Sequence, residues 1–126
     1  NDSNKLLNQV KNELSNGNRL TFGVLLDINQ GRAGAVGTYH TQQDTWMLNA
    51  AIEDDAKHNR INAGHEMVII GFDDDAVVTS SGGEVNHGLL ILRNSWGLDA
   101  GDYGNYYMTY DYFKAMAMEV QVVNKR

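Results

Sequence analysis

The spacing of apolar residues divides the chain into one helix followed by a succession of strands. Leu6, Val10 and Leu14 recur at i, i+4 and i+8 with Leu7 beside them, which predicts an amphipathic helix over 1–17. Ser3 or Asn4 is placed to cap its start, and Gly17 to end it in the left-handed conformation. Residues 19–28 are rich in Leu, Val and Phe and predict a strand apolar enough to be buried on both faces. Residues 29–45 contain three glycines and read as a polar, mobile connection. In 46–59, Met47, Ala50, Ala51 and Ile52 weakly favour a short helix over irregular structure.

The second half alternates apolar runs with turn signals. Strands are expected at 66–72 and 76–79, separated by Asp73, Asp74 and Asp75 as an acidic turn. A Gly82-Gly83 pair marks a turn before the next strand, 87–94. Gly97, Gly101 and Gly104 punctuate a loop ahead of an aromatic strand at 106–110, then a helical turn at 111–116 and a last strand at 118–123. One helix and five or six antiparallel strands predict an α+β fold, an antiparallel β-barrel-like sheet with an N-terminal helix.

At 126 residues the chain suits one domain, 1–126. With 42% hydrophobic and 21% charged residues it has the composition of a globular protein. Its longest apolar stretches, 67–71 and 88–92, are too short to cross a bilayer, so no membrane partner is expected. No export leader is visible, and a chain opening on Asn1 is expected to have lost an earlier segment. The net charge of −6 comes without a clustered Lys/Arg face, which argues against nucleic acid. There is no cysteine. That excludes disulfides and thiolate metal sites, and this chain supplies no thiol nucleophile.

The chemistry concentrates in two segments. One runs Gly64-His65-Glu66-Met67-Val68-Ile69-Ile70-Gly71-Phe72-Asp73, the other Leu92-Arg93-Asn94-Ser95-Trp96-Gly97. A histidine at the head of a buried strand is poised for proton transfer. An asparagine at the end of a neighbouring strand is placed to bond the second ring nitrogen and fix the tautomer, and Trp96 to cover that bond against water. Taken alone, each has a bland reading: a structural or exposed histidine, and a strand end turning into a glycine-rich loop. Together they follow the logic of nucleophile triads, in which a third group orients the base.

The two segments resemble the papain-like (C1 family) cysteine peptidases, whose second half carries a Gly-His strand and an Asn-Ser-Trp-Gly motif. The helix ending at Gly17, the Gly71–Asp74 stretch, Gly101, Gly104 and the aromatic strand fall in the same order, so the likeness covers nearly the whole chain. It matches only the right-hand, strand-rich domain of that fold. The resemblance implies His65 as catalytic base and acid, Asn94 as its orienting partner and Trp96 as their shield, with Gly64 and Ser95 in support. The nucleophilic cysteine and the oxyanion-hole glutamine would belong to a left-hand domain absent from this chain.

The expected function is therefore part of a cysteine endopeptidase, inactive by itself, with no cofactor and no metal. Its expected partners are a Cys-bearing N-terminal half, as a separate chain or removed segment, and a polypeptide substrate. The bare inter-domain face is expected to expose apolar surface and favour self-association. The resemblance suggests a secreted or lysosome-like compartment. The alternative is a non-catalytic peptide- or protein-binding module derived from such a half. Two departures stand out: Glu66 replaces a small apolar residue after the histidine, and Ala100 replaces a second tryptophan.

Other candidates are weaker. His65-Glu66 opens like a zinc-protease motif, but Ile69 stands where the second histidine belongs. The Asp73–Asp75 run lacks the spacing of a calcium loop, and Ser80-Ser81-Gly82 lacks the setting of a serine nucleophile. His40, His58 and His87 are expected to be scattered and exposed. Tyr103, Tyr106, Tyr107, Tyr110 and Tyr112 read as packing residues.

Overall fold

The computed structural model describes residues 2–29, 34–41, 43–61, 63–80, 83–93, 102 and 104–123. Helix α1 (Asp2–Ser15) buries Leu7 and Val10, with Leu6 and Leu14 packed beside them, on the stripe the spacing predicted. Gly17, at φ +87°, turns the chain out of the helix, and Asn18 closes the end by bonding the Glu13 carbonyl at 3.0 Å. Strand β1 (Arg19–Leu26) follows and points Leu20, Phe22, Val24 and Leu26 into the core.

The stretch expected to be a polar connection is structured where it is described. It contains β2 (Gly37–Thr38) and the first residue of β3 (Thr45–Trp46). A buried carboxylate does the ordering: Asp44 accepts from the backbone N–H groups of Tyr39, His40 and Thr41 at 2.8, 2.9 and 2.8 Å. Apolar periodicity carries no trace of such a device. Helix α2 (Ala50–Lys57) begins at Asn49, whose side chain caps the Ile52 N–H at 2.8 Å.

The Asp73–Asp75 run is not a turn. A single strand, β4 (Ala63–Ser80), passes straight through it and pairs with β5 (Val85–Arg93) on both sides. The register slips between Asp73 and Val77, so the acidic residues occupy a bulge. Gly88 stands opposite, at φ +85°, with a side-chain position already filled by the Tyr110 ring. The bulge bends β4 enough for Thr79 and Ser80 to reach β2. Strand β6 (Asn105–Thr109), helix α3 (Tyr110–Met116) and strand β7 (Ala117–Val123) complete the chain.

The strands form one sheet in the order β2-β3-β6-β5-β4-β1-β7, and the extra β2–β4 pairing closes the first five into a barrel. The fold is thus α+β and barrel-like, and the β3–β6 pairing is parallel, which makes the sheet mixed. β5 is buried on both faces. Leu90 and Leu92 join the main core of α1, α3, β1 and Trp46, while Leu89 joins a second cluster with Met47, Ala76, Val78 and Tyr107. Within the main core Phe22 and Phe113 meet at a 45° tilt with 5.8 Å between ring centroids, and the Tyr112 hydroxyl donates to the Leu25 carbonyl at 2.8 Å.

Candidate active site

His65 lies near the head of β4, opposite Val24 of β1. Side chains alternate along a strand. His65 therefore falls in the same row as Met67 and Ile69, which are buried, but at the end of that row, where it is half-buried. Glu66 falls in the other row and is exposed, as alternation requires. Gly64 is the residue before the histidine and pairs with Leu25.

A shallow depression of about 270 Å³ opens here, lined by Gly23, Gly64, His65, Glu66, Met118 and Glu119. Its floor is glycine: a Cβ added at Gly23 would meet the Met118 methyl at 3.5 Å and Glu119 Cγ at 3.8 Å, and one added at Gly64 only the Met118 methyl, at 3.6 Å. Its walls are acidic. Gly23 is the cross-strand partner of Glu66 on β4 and of Glu119 on β7, so the two glutamates flank it from either side. Two strand spacings put their backbones roughly 10 Å apart, with room between them for a cationic group. Gly23, Met118 and Glu119 were not legible as site residues, because β1 and β7 pair across nearly the whole length of the chain.

Asn94, Ser95 and Trp96 lie outside the described residues. Arg93, the residue before Asn94 in the chain, pairs with Val68 on β4, the strand that carries His65. The zinc-like reading of His65 and Glu66 needs a helix, and both residues lie on a strand.

The acidic run has structural partners. Tyr39 donates to Asp73 at 3.2 Å, Tyr110 donates to Asp74 at 2.6 Å, and Lys11 lies 2.8 Å from Asp74. Of the other histidines, His58 and His87 are exposed. His40 is exposed as well, but it is set in a network that the sequence did not suggest. Its Nδ1 lies 2.8 Å from Asp102 and 3.0 Å from the Tyr107 hydroxyl, and Tyr107 donates to Asp102 at 2.6 Å. Burial, and then Asp102, push the Tyr107 phenol far above its ordinary range, so it remains a donor. Tyr106, Tyr107 and Tyr112 are packing residues, as read, and Tyr103 lies outside the described residues.

Comparison with known proteins gives a consistent picture. All of residues 1–126 match the Peptidase C1-like family. No curated protein matches. Among solved structures, PepW of Lactobacillus rhamnosis is similar with TM-score 0.58 and 15% identity, covering 97% of this chain and 26% of its own. Xylellain, a cysteine protease from Xylella fastidiosa, has TM-score 0.58 and 18% identity, covering 95% of this chain and 37% of its own. The SERA5 proenzyme of Plasmodium falciparum has TM-score 0.51 and 17% identity, covering 98% and 29%. The chain thus spans between 26% and 37% of these longer proteins. At such identities the likeness is one of fold.

Proposed function

The chain belongs to the Peptidase C1-like family, and from that premise we propose that it is the part of a papain-like cysteine peptidase that supplies the catalytic histidine and asparagine. The observation that carries this reading is the placement of His65: half-buried at the head of β4, on the border of an open depression. With no cysteine among the 126 residues, the nucleophile comes from a Cys-bearing half, which is the partner of this chain. Without it the chain is inactive.

In the assembled enzyme His65 takes the thiol proton, and the thiolate attacks the substrate carbonyl carbon. The tetrahedral adduct collapses to a thioester as His65 passes that proton to the departing amine. His65 then takes a proton from water, whose oxygen attacks the thioester, and returns it to the leaving sulfur. Asn94 accepts a hydrogen bond from the ring nitrogen turned away from the sulfur and so holds the tautomer. Trp96 keeps water from that bond, with Gly64 and Ser95 in support. The depression beside His65 receives a substrate side chain, and its flanking glutamates favour a basic one.

The test is to isolate the chain from its source, measure intact mass under native and denaturing conditions, and assay peptide hydrolysis. The expected result is a second chain with a reactive cysteine, and activity abolished by a thiol alkylator or by His65→Ala. Peptide binding by a lone 14.0 kDa species without hydrolysis would replace this reading with that of a binding module.

A further inference from the structure

Strands β1 and β7 do not pair evenly. Gly23 stands opposite Glu119 but Val24 opposite Ala117, so Met118 is an extra residue with no partner on β1. Its side chain lies over the neighbouring strands. The terminal methyl stands 3.5 Å from where a Cβ on Gly23 would be and 3.6 Å from where one on Gly64 would be. Met118 thus lines the depression that His65 borders, and it remains 54% exposed.

The chain has five methionines and no cysteine. Met47, Met67, Met108 and Met116 are buried, none of them more than 6% exposed, and all four belong to the core clusters. Met118 belongs to neither cluster. Oxidation of a thioether follows access to its sulfur, and within this chain no thiol competes for the oxidant. The fold therefore presents one sulfur to solvent and withholds the other four. That one lies where a substrate side chain would enter, and changing it leaves the core untouched.

We propose that Met118 is a redox-modified residue: hydrogen peroxide converts it to the sulfoxide, which closes the depression beside His65 to a substrate side chain. The sulfur attacks one peroxide oxygen, and an S–O bond forms as the O–O bond breaks. The departing hydroxide takes the proton of the transferred hydroxyl and leaves as water, so sulfur is oxidised and peroxide reduced by one electron pair. The product is a polar group with an acceptor oxygen. The glutamates on either side, Glu66 and Glu119, present carboxylate oxygens and no N–H, so the new oxygen is turned from them into the open space. An aliphatic stem that would lie against the thioether then meets a polar oxygen. The oxidation does not depend on the peptidase reading, whereas its effect on substrate rests on it.

The first test uses the 126-residue chain alone. After brief exposure to hydrogen peroxide, peptide mapping should find oxygen added to Met118 at roughly tenfold or more the rate of any other methionine. The NMR signals of the Gly64 amide and the His65 ring should shift in step with that oxygen and return when methionine sulfoxide reductases remove it. In Met118→Leu they should not respond to peroxide. Oxygen spread evenly over several methionines, or a spared Met118, would overturn the proposal, and so would Gly64 and His65 signals that ignore the modification. In the assembled enzyme peroxide would also reach the nucleophilic cysteine, so Met118→Gln stands in for the sulfoxide there. Its KM for basic peptides should rise roughly threefold or more with kcat unchanged. An unchanged KM in an active Met118→Gln enzyme would overturn the closing of the depression. Absence of hydrolysis by the unaltered assembly would instead overturn the peptidase reading and leave the results on the chain alone standing.

Discussion

Lys11 on α1 lies 2.8 Å from Asp74 in the β4 bulge, with its ammonium over the rings of Phe72 and Tyr110 at 5.5 and 5.2 Å. Tyr110 donates to the same carboxylate at 2.6 Å, so helix, bulge and the start of α3 meet at one charge. The ion pair alone is worth little, since Asp74 is 53% exposed. The ring contacts and the packed lysine stem add to it. Lys11→Ala should destabilise the fold by about 1–2 kcal/mol, and Lys11→Met should recover the share due to the stem. Urea unfolding at neutral pH measures both, and equal losses in the two variants would place the whole effect in the charge.

The depression beside His65 predicts a preference that can be read without knowing the natural substrate. With Glu66 and Glu119 on either side of a glycine floor, a peptide library assayed on the assembled enzyme should show enrichment for Lys or Arg at one position. Replacing both glutamates with glutamine should cut that preference about tenfold while sparing neutral peptides. Equal loss on basic and neutral peptides would mean that the glutamates shape the site rather than select for charge.

Much of the fold was legible because periodicity reports burial directly. The α1 stripe, the apolar run of β1 and the aromatic packing of β6 all follow from runs that can be counted in the sequence. Where polar groups do the organising, the pattern is silent. Asp44 gathers three backbone N–H groups, and the Asp73–Asp75 run looks like a turn because acids rarely sit mid-strand. Only the slip against β5, with Gly88 opposite, explains how β4 carries them. The family resemblance was carried by short motifs. The His40–Asp102 pair joins distant parts of the chain, and no local signal marks it.

Strand β7 lies at the end of the sheet order and exposes Met118, Val122 and Val123, at 54%, 47% and 44%. An apolar edge strand is a template for pairing with another chain. In the absence of a partner half, the chain should self-associate with rising concentration. Added salt should strengthen this by screening the net charge of −6. Val122→Lys should suppress it, because a lysine on an edge opposes pairing. A monodisperse monomer by light scattering at high protein concentration and high salt would dispose of the idea.

The acid end of the stability curve should be set by carboxylates held below their ordinary range. Hydrogen bonds from Tyr107 and then His40 hold Asp102 below the ordinary carboxylate range, and Lys11 and then Tyr110 do the same for Asp74. A group with a depressed folded pKa stabilises the fold above its unfolded pKa, and that contribution is lost as pH falls through the folded value. Stability should therefore decline below about pH 4. Tyr107→Phe isolates one part of this. It removes the 2.6 Å bond to a carboxylate that is only 17% exposed, and should cost about 1–2 kcal/mol at neutral pH. At a pH below the ordinary carboxylate range, low enough for Asp102 itself to take up a proton, the difference from the unaltered chain should shrink. Urea unfolding at the two pH values measures it. A loss that stays constant between them would assign the tyrosine hydroxyl a packing role and leave Asp102 out of the acid response.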